Sequence, residues 1–334
     1  MALGTRTPVT SPAAPAVGSP AEAAGVGRFA PSPTGPLHFG SLVAGIGSFL
    51  DARARGGRWL MRIEDVDTPR CVPGAAEHIL ATLRHFGLEW DGDVVWQSRR
   101  QAAYRAALET LRDAGHVFGC ACTRREIADS ALARDGSRVY PGTCRNGLPA
   151  GRSARAWRVR VDGVVTFEDA VQGRCREDLP RDVGDFVVLR ADGCFAYQLA
   201  VVVDDAEAGV THVVRGADLL DSTGRQIHLL RLLGYAVPHH AHLPVAVNAA
   251  GEKLSKQTLA KAIDGVPPVR AWVAVLRFLG QNPPDELARM RLAEVRDWAI
   301  ANWSMANVPR LRHAPTPALP TLSDGTAVSH ATRE

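Results

Sequence analysis

Residues 26–63 follow an order that few folds accommodate. A short apolar stretch at 26–30 leads into a Pro/Ser/Thr/Gly loop at 31–36. Helical periodicity then runs over 41–55 and stops at Gly56-Gly57, before a second apolar stretch at 59–63. Strand, loop, helix and strand make a βαβ unit, so the chain is expected to be an α/β protein built on a parallel sheet. The pattern continues with helices at 73–86 and 99–114, each closed by Gly. Strands are expected at 186–189, 197–203 and 212–214, and helices at 222–233, 269–279 and 287–302. The stretch 117–181 is more broken. No internal repeat is present, and 334 residues with 46% apolar side chains supply a sizeable core in two domains, or in one domain with an insertion.

Composition narrows the class of partner. The net charge of +4 is compatible with RNA. No run of 18 apolar residues occurs, so no membrane span is expected. Residues 1–24 lack the charged start and continuous apolar core of a signal peptide and are read as a disordered extension; 313–334 are read as a loose tail. A cytoplasmic monomer is expected. Six cysteines in a chain without secretion signals point to free thiols or a metal site before disulfides.

Two stretches carry phosphate chemistry. The first is Arg28-Phe29-Ala30-Pro31-Ser32-Pro33-Thr34-Gly35-Pro36-Leu37-His38-Phe39-Gly40-Ser41, at the junction of the first strand and first helix. Helix N-termini carry unpaired N–H groups and partial positive charge, so phosphates bind there. Gly40 lets backbone approach a nucleotide closely, and His38 is placed to donate to phosphate oxygens. The second is Gly251-Glu252-Lys253-Leu254-Ser255-Lys256-Gln257. Of 39 basic side chains only three are lysine, namely Lys253, Lys256 and Lys261, all within nine positions. A compact ammonium on a flexible stem suits a phosphate contact that a rigid guanidinium does not replace.

The first string resembles the first signature of class I aminoacyl-tRNA synthetases in the form used by the glutamyl branch. Residues 253–257 resemble their KMSKS loop. Ile63-Glu64-Asp65-Val66-Asp67-Thr68-Pro69-Arg70 and Val213-Val214-Arg215-Gly216-Ala217-Asp218-Leu219-Leu220 resemble two further motifs of the branch, in family order. The first signature departs at Ser41, where many synthetases have a second His. The resemblance implies a Rossmann-like catalytic sheet and a site for glutamate and ATP with Mg²⁺. Arg28, Phe29, Ala30, Pro31, Ser32, Glu64, Tyr197 and Arg215 would bind glutamate. Arg28 and Arg215 would face its carboxylates, in an order left open, and Glu64 its α-amino group. ATP would meet His38, Gly40, Ser41, Lys253 and Lys256. His38 and Lys256 would stabilise the transferring phosphate, where loss of one donor costs ~10²–10³ in rate.

Little chain follows Lys261, so the helical anticodon-binding domain of glutamyl-tRNA synthetases is not expected. A catalytic domain without it resembles the glutamyl-Q tRNA(Asp) synthetase family. That family activates L-glutamate without tRNA and esterifies the cyclopentenediol of queuosine in the anticodon arm of tRNA(Asp). A truncated glutamyl-tRNA synthetase charging the terminal ribose, or a catalytically silent RNA-binding paralogue, are the other readings.

Cys120-Ala121-Cys122 and Tyr140-Pro141-Gly142-Thr143-Cys144 give three thiolates suited to one structural Zn²⁺ per chain. General rules would make His116 the fourth ligand. The resemblance favours Tyr140, because the glutamyl-Q family uses a Cys-x-Cys, Tyr, Cys pattern with this spacing. Cys71, Cys175 and Cys194 are read as packing residues. The expected division is a catalytic domain in two halves, 25–116 and 182–248, an inserted zinc-binding subdomain at 117–181, and the KMSKS-like loop with C-terminal helices at 249–312.

Overall fold

A computed structural model describes residues 24–133, 136–248, 251 and 262–317. Lys253, Lys256 and Lys261 lie outside the described residues. The βαβ unit is present: β1 (Val26–Phe29), α1 (Phe39–Ala54) and β2 (Arg58–Ile63), with β1 and β2 parallel and Val26 opposite Arg58. β3 (Val95–Trp96) extends this sheet beyond β2. On the other side of β1 a second sheet abuts it, in the order β7 (Gly173–Asp178), β6 (Val164–Asp169), β10 (His239–Leu243), β9 (His212–Gly216). β9 meets β1 where the Thr211 N–H donates to the Val26 carbonyl at 2.9 Å.

Helices cover both faces. On one side α1 lies under α7 (Pro268–Phe278) and α8 (Leu292–Asn302). α1 is buried almost all round, as a helix apolar on every face must be. Its two interior glycines are packing sites: a Cβ on Gly47 would stand 2.4 Å from Leu243 Cδ1. On the other side lie α3 (Gln101–Asp113), α5 (Tyr197–Glu207) and α6 (Thr223–Leu232). The remaining α-helices among the described residues are α2 (Ala75–His85) and the single turn α4 (Leu179–Asp182).

Alternation along the strands sorts the side chains between these layers. Phe29, Trp59 and Met61 face the core around α1. Arg28 and Arg62 point the other way, to α5, where Asp204 and Asp205 receive them. Here the structure corrects the sequence reading: 197–203 is the start of helix α5, not a strand. Its Leu-Ala-Val-Val-Val run is buried throughout, and a short apolar run of that kind shows neither a 2-residue nor a 3.6-residue period.

Two boundaries also differ. β8 (Val187–Leu189) pairs with β5 (Ala156–Val159), which pairs with β4 (Val117–Cys120), while the β6–β7 hairpin joins β10. The strands therefore do not divide at 181. His313–Pro315, expected in a loose tail, forms β12 and pairs in parallel with β11 (Val245–Val247). The helix expected over 287–302 begins at Leu292, because Arg291 turns extended and is capped by Glu294, whose Oε2 accepts the Arg291 N–H at 2.9 Å.

Candidate active site

β1 leads through α1 to β2 on one side, and β9 leads through α6 to β10 on the other. Their loops part above the line where the two strands meet. Such a switch point leaves a crevice at the carboxyl ends of the strands, the usual ligand position in open α/β sheets. A cavity of about 220 Å³ opens there. It is lined by Arg28, Phe29 and Ala30 from the end of β1, by His38, Gly40 and Ser41 at the start of α1, and by Glu64 after β2. Tyr197 from α5, Arg215 and Asp218 near the end of β9, and residues 243–246 complete it.

Nine residues chosen from sequence thus meet in one cavity. Pro31 and Ser32 stay outside its lining. Pro31 acts through its carbonyl, which accepts the Glu64 N–H at 3.0 Å, and Ser32 is exposed.

The helix end is built around His38. As N-cap of α1, its Nδ1 accepts the Ser41 N–H at 3.3 Å. Nδ1 is then an acceptor and Nε2 carries the proton. Glycine at 40 suits this fold-back, since a Cβ there would stand 3.2 Å from the His38 ring and push against it.

Charge in the cavity is arranged by burial. Arg28 Nε donates to both oxygens of Asp205 at 3.3 Å, and its Nη1 to the Val214 carbonyl at 3.5 Å. Arg62 links Asp205 (2.6 Å) to Glu64 (3.2 Å). Burial alone would raise Asp205, yet Arg28 and Arg62 hold its carboxyl below the usual range. Glu64 is pushed up by burial, against the pull of Arg62 and Arg28. Asp204 accepts from Gln97, Arg100 and Tyr104, which ties α5 to α3 and its approach.

Arg215 differs from these arginines. It is fully buried, and its recorded hydrogen-bond partners are uncharged: His242 Nε2 at 3.0 Å, Thr223 Oγ1 at 3.0 Å, the Leu219 carbonyl at 3.3 Å and Tyr197 OH at 3.5 Å. Burial lowers its pKa. A guanidinium so placed gains from an incoming carboxylate more than one already paired.

The sequence reading passed over Arg62 and His242, and it left Asp204-Asp205 out of the site as structural or ligand-assisting. Local patterns do not mark them, since Arg62 and Asp205 meet across 143 positions. Asp65 and Asp67 hold structure: Asp65 accepts from Ser98 and Asp67 from Arg190.

A second constellation lies beyond β4. The ligand atoms of Cys120, Cys122 and Cys144 lie within 4.8 Å of one another, and His116 is not part of that group. Cys122 and Cys144 sulfurs are 3.7 Å apart. Tetrahedral Zn–S bonds of ~2.3 Å give an S–S edge of about 3.8 Å, so the thiols fit the metal. Tyr140 OH lies 3.4 Å from Cys120 Sγ and 3.5 Å from Cys122 Sγ, and it accepts the Cys144 N–H at 2.8 Å. The guanidinium of Arg158 covers the Tyr140 ring at 4.0 Å.

A βαβ fold with a helix N-terminus and an arginine-rich pocket at its switch point suits an enzyme that handles anionic substrates. The family model for the catalytic domain of class I tRNA synthetases (E and Q) matches residues 26–280, and the chain belongs to that family, whose members are ligases. It is 70% identical over 87% of its length to glutamyl-Q tRNA(Asp) synthetase of Aromatoleum aromaticum, covering 93% of that protein. It is 63% identical over 85% of its length to the protein of the same name from Dechloromonas aromatica, covering 95% of it. Glutamate-tRNA synthetase from Elizabethkingia anophelis shares the fold, with a TM-score of 0.73 at 24% identity over 88% of this chain and 68% of that one.

Proposed function

We propose that this enzyme activates L-glutamate with ATP in the absence of tRNA and passes it to the queuosine cyclopentenediol at the wobble position of tRNA(Asp). The observation that carries the reading is the cavity, where a buried arginine with uncharged partners, a buried carboxylate and a helix N-terminus converge. Glutamate brings two carboxylates and one ammonium. Arg28 and Arg215 receive the carboxylates, Glu64 the ammonium, and Tyr197 packs beside them. The name shared by relatives 57–70% identical to the chain supports the same substrate.

A glutamate α-carboxylate oxygen attacks the α-phosphorus of ATP in line, and the bond to the bridging oxygen breaks to release pyrophosphate. His38 Nε2, the Gly40 N–H, the Ser41 hydroxyl, Lys253 and Lys256 meet the phosphates, with Mg²⁺ carried in by ATP. A hydroxyl of the cyclopentenediol then attacks the acyl carbon, and AMP leaves. The protein positions the groups and stabilises charge throughout. One Zn²⁺ held by Cys120, Cys122, Cys144 and Tyr140 ties the loops after β4 together. The enzyme acts as a cytoplasmic monomer.

The test offers labelled glutamate and ATP to tRNA(Asp) with and without queuosine. Label is expected only on the queuosine form, together with glutamate-dependent pyrophosphate exchange before any tRNA is added. Equal labelling of both tRNAs, with exchange that requires tRNA, would instead mark a synthetase charging the terminal ribose. RNA binding without exchange would mark a silent paralogue.

A further inference from the structure

Behind Arg215 stands a chain of buried groups that the family motifs do not include. Arg215 Nε donates to His242 Nε2 at 3.0 Å. His242 Nδ1 lies 2.6 Å from Asp169 Oδ2, and both side chains are fully buried. Asp169 is itself fixed: its Oδ1 accepts the N–H groups of Val171 (3.0 Å), Gln172 (2.8 Å) and His242 (3.1 Å). The three residues stand on three neighbouring strands, β6, β10 and β9, so the sheet sets their spacing.

The hydrogen bonds fix the proton. A guanidinium only donates, so Nε2 of His242 must accept; Nδ1 then carries the hydrogen and gives it to Asp169. Thr223 adds a second brace, accepting from Arg215 Nη2 at 3.0 Å while lying 3.2 Å from His242 Nε2.

We propose that Asp169 and His242 are positioning residues that hold Arg215 in the orientation in which its guanidinium meets a substrate carboxylate. The proposal rests on the reading of the cavity as the glutamate site. A long arginine side chain has several rotamers of similar energy, and ordering it on binding would cost affinity. The imidazole removes that freedom beforehand. It supplies an acceptor without negative charge, so the guanidinium is oriented and its charge is left for the ligand. A carboxylate in place of His242 would orient Arg215 equally well but pair its charge, as Asp205 does in part for Arg28, which shares that carboxylate with Arg62.

The experiment measures glutamate-dependent pyrophosphate exchange by the full chain carrying His242→Gln, His242→Asn or Asp169→Asn. A glutamine oxygen can stand near the Nε2 position and keep an acceptor for Arg215. An asparagine keeps a donor near Nδ1 for Asp169 but takes the acceptor away. His242→Asn is expected to raise the glutamate KM by about ten-fold, with the ATP KM unchanged. His242→Gln should stay within about three-fold of the parent, because it keeps the hydrogen bond that matters. Asp169→Asn should fall between them. Nitrogen-15 spectra of the unsubstituted protein should show His242 neutral and protonated on Nδ1. A His242→Asn protein that is folded and has an unchanged glutamate KM overturns the proposal, and so does an imidazole protonated on Nε2. If the unsubstituted protein exchanges pyrophosphate with no glutamate dependence, the substrate reading is what fails, and the tautomer still judges the hydrogen-bond chain.

Discussion

Tyr140 stands with its hydroxyl against two thiols and its ring under a guanidinium, an odd position for a side chain meant only to fill space. Deprotonated, the three thiolates would repel one another without a cation between them. Purified protein is therefore expected to carry one zinc per chain. Cys122→Ser should cut that content to well below one by metal analysis and lower the melting temperature by ~5 °C or more, since binding energy at such a site is folding energy. The three thiols were legible in the sequence because two of them sit in a Cys-x-Cys and the third follows at short range. The Arg28–Asp205 and Arg62–Asp205 pairs were not. Each joins residues over 140 positions apart, and nothing in the local pattern distinguishes an aspartate that will be buried from one that will be solvated.

Elements were legible in proportion to the regularity of their periods. α1 was found from its apolar spacing and its Gly56-Gly57 stop, and β1 and β2 from their flanks. α5 was misread, and with it the reason for Asp204-Asp205: a helix at 197–207 presents both carboxylates to the arginines of β1 and β2. β12 was missed because three residues next to a Pro/Thr-rich stretch carry no period at all. It matters nonetheless, since it pairs with β11, and Val245 and Ala246 of β11 line the cavity. A chain ended after Arg312 should exchange pyrophosphate at least ~10-fold more slowly than one ended after Pro317, given how steeply rate depends on the placing of reacting groups. Parallel assays of the two truncations check this, with circular dichroism to show that both remain folded.

For the molecule as a whole, the parallel sheet and the place of the cavity were legible, and the interior electrostatics were not. Those electrostatics set an acid limit. Burial holds the imidazole of His240 at about 3 and that of His242 at about 4, well below the ordinary value. Below pH ~6.5 the unfolded chain takes up protons at these positions and the folded chain does not, so stability is full above that pH and falls as pH drops. The loss is on the order of 2 kcal/mol for each histidine at pH 5. Glu64, which burial raises, offsets part of it; Asp169 and Asp205, both held low, add to it below pH ~4. Unfolding free energies from urea titrations at pH 7.5 and pH 5 should differ by the sum, and a pH-independent free energy over that range would contradict the burial of both rings in neutral form.

The pairing of β11 with β12 also has a meaning in time. The ribosome delivers Arg28 first, Arg215 much later, and β12 last among the described strands. At ~5–20 residues per second, a nascent chain spends many seconds with the first half of its pocket assembled and the closing wall unbraced. Catalytic competence is thus expected to arrive in a single late step, once β12 has emerged, and the first βαβ unit must wait for it with its arginines already in need of their aspartates.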